Sequence, residues 1–234
     1  GCAGKPVTAD TVSYSLAPRL NAAGRMDNAA VALKLLLCGD EEQATGIADR
    51  LAEINTERQQ TEQQVFAAAL ETLEKDPART RDRVLVVSGE DWHPGVIGIV
   101  ASKLVERYKR PTFIIGEHGD EATGSARSFG DFSAADAVRA ADDVIIRGGG
   151  HGAAAGVTLA VENIPAFRER VNEFYRSLGL TAQDRYLLPC VDVEIDDFAE
   201  VDEQLVTDIA QMEPFGNGNP EPVLKLSHGV VLST

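Results

Sequence analysis

The chain has 234 residues, a formal net charge of −15 and 44% hydrophobic residues, ordinary figures for a soluble globular protein except for the acidity. No apolar run is long enough to span a membrane, and the N-terminus GCAGKPVTAD lacks the basic-then-apolar order of a signal peptide. The three cysteines, Cys2, Cys38 and Cys190, are scattered and odd in number, which excludes a disulfide framework or a CxxC metal site and suits a reducing cytoplasm.

Residues 1–28 read as loop-rich and contain APRLNAAGRMDN. Asp27 or Asn28 then caps a helix through AAVALKLLL, apolar nearly all round and therefore expected to be buried, with Gly39 as its stop. A long helix follows over residues 41–75, with Ile47, Leu51 and Ile54 on one face. Its middle, NTERQQTEQQ, has no apolar residue before Val65, so this stretch is expected to cross solvent or a cleft between two bodies.

KDPART breaks the chain, and RVLVVS (83–88) reads as a buried strand. The loop GEDWHPG leads into the helix VIGIVASKLVERY, whose small residues Gly98 and Ala101 suit close packing on a sheet. PTFIIGE (111–117) and ATGSARS (122–128) form a hairpin of strands. A short helix at 132–142 precedes RGGGHGAAAG and a strand near 155–161. Asn163 is placed to cap the next helix, with Pro165 in its first turn. Beyond Gly179 a linker TAQDRYLLP, a strand CVDVEI, a helix VDEQLVTDIAQM, a dense turn PFGNGNPEP and the strand-like VLKLSHGVVL follow, with a boundary near residue 182. Both ends of the chain read as cuts in a longer protein.

Four stretches carry chemistry. In RGGGHGAAAG, Gly148, Gly149 and Gly150 bare the backbone, so their N–H groups can converge on an anion beside His151; a tight turn with a capping histidine is the plainer reading, and Arg147 adds only a little weight. In GSARS, the period of two puts Ser125 and Arg127 on one face, a hydroxyl and a guanidinium fit for a terminal phosphate, with Ser128 following. A solvated strand edge explains that pair about as well. In PRLNAAGR, Arg19, Asn21 and Arg25 can reach phosphates or base edges, although a helix-capping loop with surface cations is the simpler account. In DWHPG, His93 is read as a cap, and His118 and His228 receive no role. HExxH, GxxxxGK[ST] and GxSxG are missing, and nothing forms a convincing metal site. The arginines gathered in these motifs keep a local basic cleft in play on an acidic body, against the net charge, which by itself argues for no affinity for nucleic acid.

Taken in order, PRLNAAGR, WHPGVIGIVASKL, GSARS and GGGHGAAAG resemble the RecJ family of single-strand-specific 5′→3′ exonucleases of the DHH superfamily, and PFGNGNPEP resembles its entry to an oligonucleotide-binding (OB) fold. GGGH alone is shared with oligoribonucleases, cyclic-dinucleotide phosphodiesterases and an alanyl-tRNA synthetase appendage. Ala17 stands where that family usually has Gly, and Ala126 where GSGRS is common; both are small. The resemblance implies an α/β chain: the end of the catalytic region and a linker at 1–40, a connector helix at 41–78, a DHH-associated domain with a mixed β-sheet flanked by helices at 79–181, and a partial OB segment at 182–234. It places the catalytic domain, with its DHH triplet and two Mn²⁺ or Mg²⁺ ions, upstream; the sequence itself contains no DHH.

On that resemblance His151 with Gly148–Gly150 positions substrate phosphate, Ser125 and Arg127 recognise a phosphorylated 5′ end, and Arg19 and Asn21 touch the incoming strand. The implied partners are single-stranded DNA with a 5′-phosphate, single-strand-binding protein and a RecQ-type helicase, in the cytoplasm, in DNA repair and recombination. No cofactor is assigned to this chain, and taken alone it is expected to be inactive. The alternatives are a phosphodiesterase of the same superfamily acting on short or cyclic nucleotides, and a non-catalytic nucleic-acid-binding appendage.

Overall fold

The computed structural model describes residues 4, 6–180, 191–216 and 218–227. The expected linker 181–189, Cys2, Cys190, His228 and the end of the expected terminal strand lie outside them. The chain divides into two units, one of residues 18–183 and one of residues 1–17 with 184–234.

The larger unit takes in α1 (Ala17–Met26) from its second residue onward, then α2 (Ala30–Leu37) and α3 (Glu41–Lys75). Asp40 caps α3 by accepting a hydrogen bond from the Gln43 backbone N–H at 2.8 Å, and Glu41 and Glu42 favour the positive end of its dipole. At 35 residues, α3 is about 52 Å long. Its first half packs Leu51 against Ala23 and Ala32 of α1 and α2, and its second half packs Val65, Ala69 and Leu73 against the sheet layer.

Two expectations for this region are corrected. PRLNAAGR is not a loop but most of α1, because Leu20 and Ala23 find Leu51 and Ile47 of α3 to pack against. The helix AVALKLLL is not buried: Ala32 is, while Leu33, Leu36 and Leu37 remain exposed, since only one side of α2 meets α3. The polar middle of α3 is two-sided: Thr56, Glu57, Gln59, Gln60, Gln63 and Gln64 are exposed, and the opposite side is held by polar residues. Asn55 and Glu62 are buried, and Glu62 pairs with Arg58 one turn earlier and, at 2.5 Å, with Lys103. The segment therefore docks through a charged contact instead of an apolar one.

The sheet comprises β1 (Leu85–Glu90), β2 (Thr112–His118), β3 (Glu121–Arg127), β4 (Arg147–His151) and β5 (Ala154–Ala160), in the order β1-β2-β3-β5-β4. β1 and β2 are parallel, joined by α4 (Pro94–Tyr108); every other pairing is antiparallel. One face, with Phe113, Ile115, Ala126, Val157 and Leu159, packs on α5 (Ala134–Ala140) and α6 (Ile164–Ser177). The other face, with Leu85, Val87 and Ile114, packs on α4 and the end of α3. Asn172 of α6 ties the first face to the start of the sheet: its Oδ1 accepts from the Arg83 and Val84 N–H groups and its Nδ2 donates to the Val84 carbonyl, each at 3.0 Å. Asn163 does not cap α6 with its side chain; its Nδ2 donates instead to the Val144 carbonyl at 3.2 Å.

The smaller unit holds a π-helical turn at Thr11–Leu16, a parallel pair of short strands, β6 (Val193–Ile195) and β7 (Leu224–Leu226), and α7 (Glu203–Ala210) capped by Asp202. In its dense turn the Asn219 side chain donates to the Met212 and Pro214 carbonyls at 2.9 and 3.0 Å. No described helix is long and apolar enough to cross a membrane.

Candidate phosphate-binding site

The register of three strands builds the site. Arg127 of β3 lies opposite Ala154 of β5, which lies opposite His151 of β4. Directly opposed residues share a face, so Arg127 and His151 stand on the same side of the sheet, about 10 Å apart across two strand spacings. The next row is Ser125, Gly156 and Gly149; the one after is Thr123, Thr158 and Arg147. This is the α4 side of the sheet, because the alternate residues Ala122, Ala126, Ala155 and Val157 belong to the core on the α5 and α6 side. Ala126, a departure from the family pattern, thus points away from the Ser125–Arg127 face.

The glycine run is corrected. Gly148–Gly150 do not form a loop of converging N–H groups; they form β4, the exposed edge strand, paired on one side with β5. An edge strand still leaves its outward N–H groups open. The three glycines serve different needs. A Cβ on Gly148 would lie 2.4 Å from Val138 Cγ1, and one on Gly150, at φ 153°, 2.4 Å from the Ala154 carbonyl oxygen. A Cβ on Gly149 would meet nothing within 4 Å. Packing thus requires Gly148 and Gly150 to be bare, and leaves Gly149 bare toward open space.

Two glycines of α4, one turn apart, seat two arginines. A Cβ on Gly95 would strike the Arg25 carbonyl oxygen at 2.1 Å, so its absence lets the end of α1 reach the first turn of α4. Arg25 Nη1 then donates to the Gly95 carbonyl at 3.2 Å. A Cβ on Gly98 would stand 2.9 Å from Arg127 Nη2 and 3.0 Å from Ser125 Oγ. Arg127 Nη1 donates to Ser125 Oγ at 3.1 Å and to the Ala126 carbonyl at 2.7 Å. Partial burial lowers the pKa of Arg127, and the like charge of Arg25 lowers it further, with no carboxylate among the groups that shift it. His93 caps α4, its Nδ1 accepting from the Gly95 N–H at 3.0 Å, as expected from sequence.

The other sequence candidates fall around this cluster. Asn21 is exposed and one turn before Arg25 on the same side of α1, whereas Arg19 lies about 200° around the helix from Asn21. Ser128 lies just past β3, and its hydroxyl donates to the Phe132 carbonyl, which takes it out of the cluster. Sequence reasoning missed Gly95 as an arginine seat and Gly156 as part of the open face; the three-residue spacing of Gly95 and Gly98 and the parity of β5 were the available signals. Among the described residues no group of three or more His, Cys, Asp or Glu side chains could hold a metal ion.

Residues 81–177 match the family model of the DHHA1 domain, and residues 191–233 that of the RecJ OB domain. The chain carries a DHHA1 domain followed by a RecJ OB domain. It is 37% identical over 227 residues to the single-stranded-DNA-specific exonuclease RecJ of Bacillus subtilis, covering 95% of this chain and 28% of that protein. Identity to the RecJ of Thermus thermophilus is 35% over 229 residues, covering 97% of this chain and 31% of that protein. The crystal structure of Thermus thermophilus RecJ with Mn²⁺ superposes with a TM-score of 0.80 at 32% identity, over 95% of this chain and 32% of that one; the Mg²⁺ complex gives 0.79. The chain thus spans about a third of the length of these relatives, and the cluster described above is built in and around its DHHA1 domain.

Proposed function

We propose that this chain is the substrate-binding portion of a 5′→3′ exonuclease specific for single-stranded DNA, with the DHHA1 domain gripping the phosphorylated 5′ end. The observation that carries the reading is the Arg25–Arg127 pair. Gly95 and Gly98, one turn apart on α4, seat the two arginines beside the first turn of that helix, and the charge of Arg25 adds to partial burial in lowering the pKa of Arg127. A phosphate dianion between them would offset their like charge. Ser125 adds a hydroxyl donor, Gly149 an open backbone, and His151 a ring on the same face. In this reading Ser125 and Arg127 hold the terminal phosphate, Gly149 and His151 orient the next linkage, and Arg25 and Asn21 meet the strand as it enters. Arg19, Ser128, Gly148 and Gly150 contribute through the elements they build.

The residues of this chain do not form a metal site among those described. The divalent ion belongs in this reading to an upstream catalytic domain, and the chain supplies binding and orientation. The proposed division is 1–40 for the end of the catalytic region, 41–78 for the connector, 79–181 for the DHHA1 domain and 182–234 for the OB segment. Cytoplasmic action in DNA repair and recombination, with single-strand-binding protein and a RecQ-type helicase as partners, follows the same family reading.

The test compares 5′-phosphorylated with 5′-hydroxyl single strands. Arg127→Ala is expected to weaken the phosphorylated strand about tenfold and the hydroxyl strand far less; equal losses would refute end recognition.

A further inference from the structure

Arg147 lies four residues before His151 on β4, and the period of two puts both on the open face of the sheet with Gly149 between them. Its side chain does not hang off the edge. Nε donates to Thr158 Oγ1 at 3.4 Å, and Thr158, the residue directly opposite on β5, is buried. The guanidinium therefore leans inward, across β5.

The ground between the two cationic ends is backbone. A Cβ on Gly149 would meet nothing within 4 Å, and one on Gly156, directly opposite, only the Gly124 carbonyl oxygen at 3.9 Å. The charge distribution is equally one-sided. In a chain of net charge −15, strands β3, β4 and β5 carry Arg127, Arg147 and His151 against a single carboxylate, Glu121, which lies on the same face one row beyond Thr123 and Arg147, so the stretch from Arg147 to Arg127 holds no strand carboxylate. An acidic protein that keeps these three strands nearly free of acid leaves them attractive to an anionic chain.

We propose that Arg147, steadied by Thr158, is a second anion subsite that binds the internucleotide phosphate one step beyond the linkage oriented by Gly149 and His151. The inference rests on the reading of this face as a phosphate site. Strand rows are about 6.8 Å apart, so Arg147 stands one row from Gly149 and two rows, about 13.6 Å, from His151; nucleic acid whose first linkage lies at Gly149 and which runs on along β4 brings its next phosphate under Arg147. The subsite would give the enzyme a grip on the strand that moves with neither the terminal phosphate nor the first linkage. An arginine that merely kept an edge strand from pairing with another copy would show no such dependence.

The experiment measures binding of the 234-residue chain to short 5′-phosphorylated oligothymidylates by fluorescence anisotropy at low salt. One strand is all-phosphate, one has a neutral methylphosphonate at the first linkage, and one has it at the second. Arg147→Gln is expected to weaken the all-phosphate strand about five- to tenfold, and to cost nothing on the strand that is neutral at the second linkage. Arg147→Lys should restore part of the loss. Equal loss on the strands neutral at the first and second linkages, or no loss on any, overturns the subsite. A separate arm compares 5′-phosphate with 5′-hydroxyl strands in the wild type and Arg127→Ala. If neither protein distinguishes them, or the wild type binds no strand, the underlying reading of the face fails; if the wild type does and Arg147→Gln shows no linkage dependence, only the subsite fails.

Discussion

Gly98 on α4 and Arg127 on β3 fit against each other: a methyl group at Gly98 would lie 2.9 Å from the Arg127 guanidinium. The helix is bare there because a cation occupies the space. Replacing a helix-interior glycine by alanine ordinarily gains up to about 1 kcal/mol, and the clash is only with the mobile end of a side chain. Gly98→Ala should therefore leave the melting temperature unchanged or slightly raised. It should also push Arg127 and Ser125 out of place and lower affinity for a 5′-phosphorylated strand about tenfold. Thermal melts with strand-binding titrations check both halves; loss of stability without loss of binding would mean that Gly98 serves packing alone.

The glycines of β4 should separate fold from function. Gly150→Ala forces a Cβ into the Ala154 carbonyl at φ 153° and is expected to cost about 2–3 kcal/mol. Gly149→Ala meets open space and should change stability by no more than about 0.5 kcal/mol. Denaturant unfolding of the two variants measures the difference. Should Gly149→Ala also keep full strand affinity, the open face is not used.

Glu62 holds the polar middle of α3 in place. Its carboxylate is buried between Arg58 and Lys103, so Glu62→Ala strands the mostly buried Arg58 and should cost about 3 kcal/mol. The double variant Arg58→Met/Glu62→Met should recover much of that, since the penalty comes from the unpaired charge. Chemical denaturation of the three proteins tests the coupling.

Acid should loosen the contact between Asp143 and α6. The side-chain hydrogen bond from Arg170, reinforced by its charge, holds the Asp143 carboxyl below its ordinary value of 3.8. A carboxyl whose pKa falls on folding stabilises the fold above its unfolded value and loses that contribution as pH drops through the folded one. Asp143→Asn should be slightly less stable than the wild type near neutrality and equal to it in strong acid. Paired melting curves across that range would show the convergence.

The long helix was legible because its cap, its length and the apolar spacing at Ile47, Leu51 and Ile54 are local signals. The strand–helix–strand succession over β1, α4 and β2 and the β2–β3 hairpin were legible from apolar runs and from turn residues. The loop assigned to Gly148–Gly150 was wrong because glycine carries no strand propensity, and β4 exists only by pairing with β5. The burial expected for AVALKLLL failed because composition says how apolar a helix is, not how many neighbours it finds. The charged contact on one side of the polar middle was not legible, because Glu62 meets Lys103, 41 residues away in the chain.

The sequence alone determined which residues could bind phosphate, since hydroxyls, guanidiniums and bare backbone are properties of residue type. Period-two alternation even put Ser125 beside Arg127 without any coordinates. Tertiary structure decided which candidates stand together. Strand register brought His151 and Arg147 onto the Arg127 face, the hydroxyl of Ser128 was drawn off by Phe132, and two missing Cβ atoms on α4 let Arg25 and Arg127 approach. Register and close approach are relations between distant segments, fixed only when the whole core packs, so no local pattern records them.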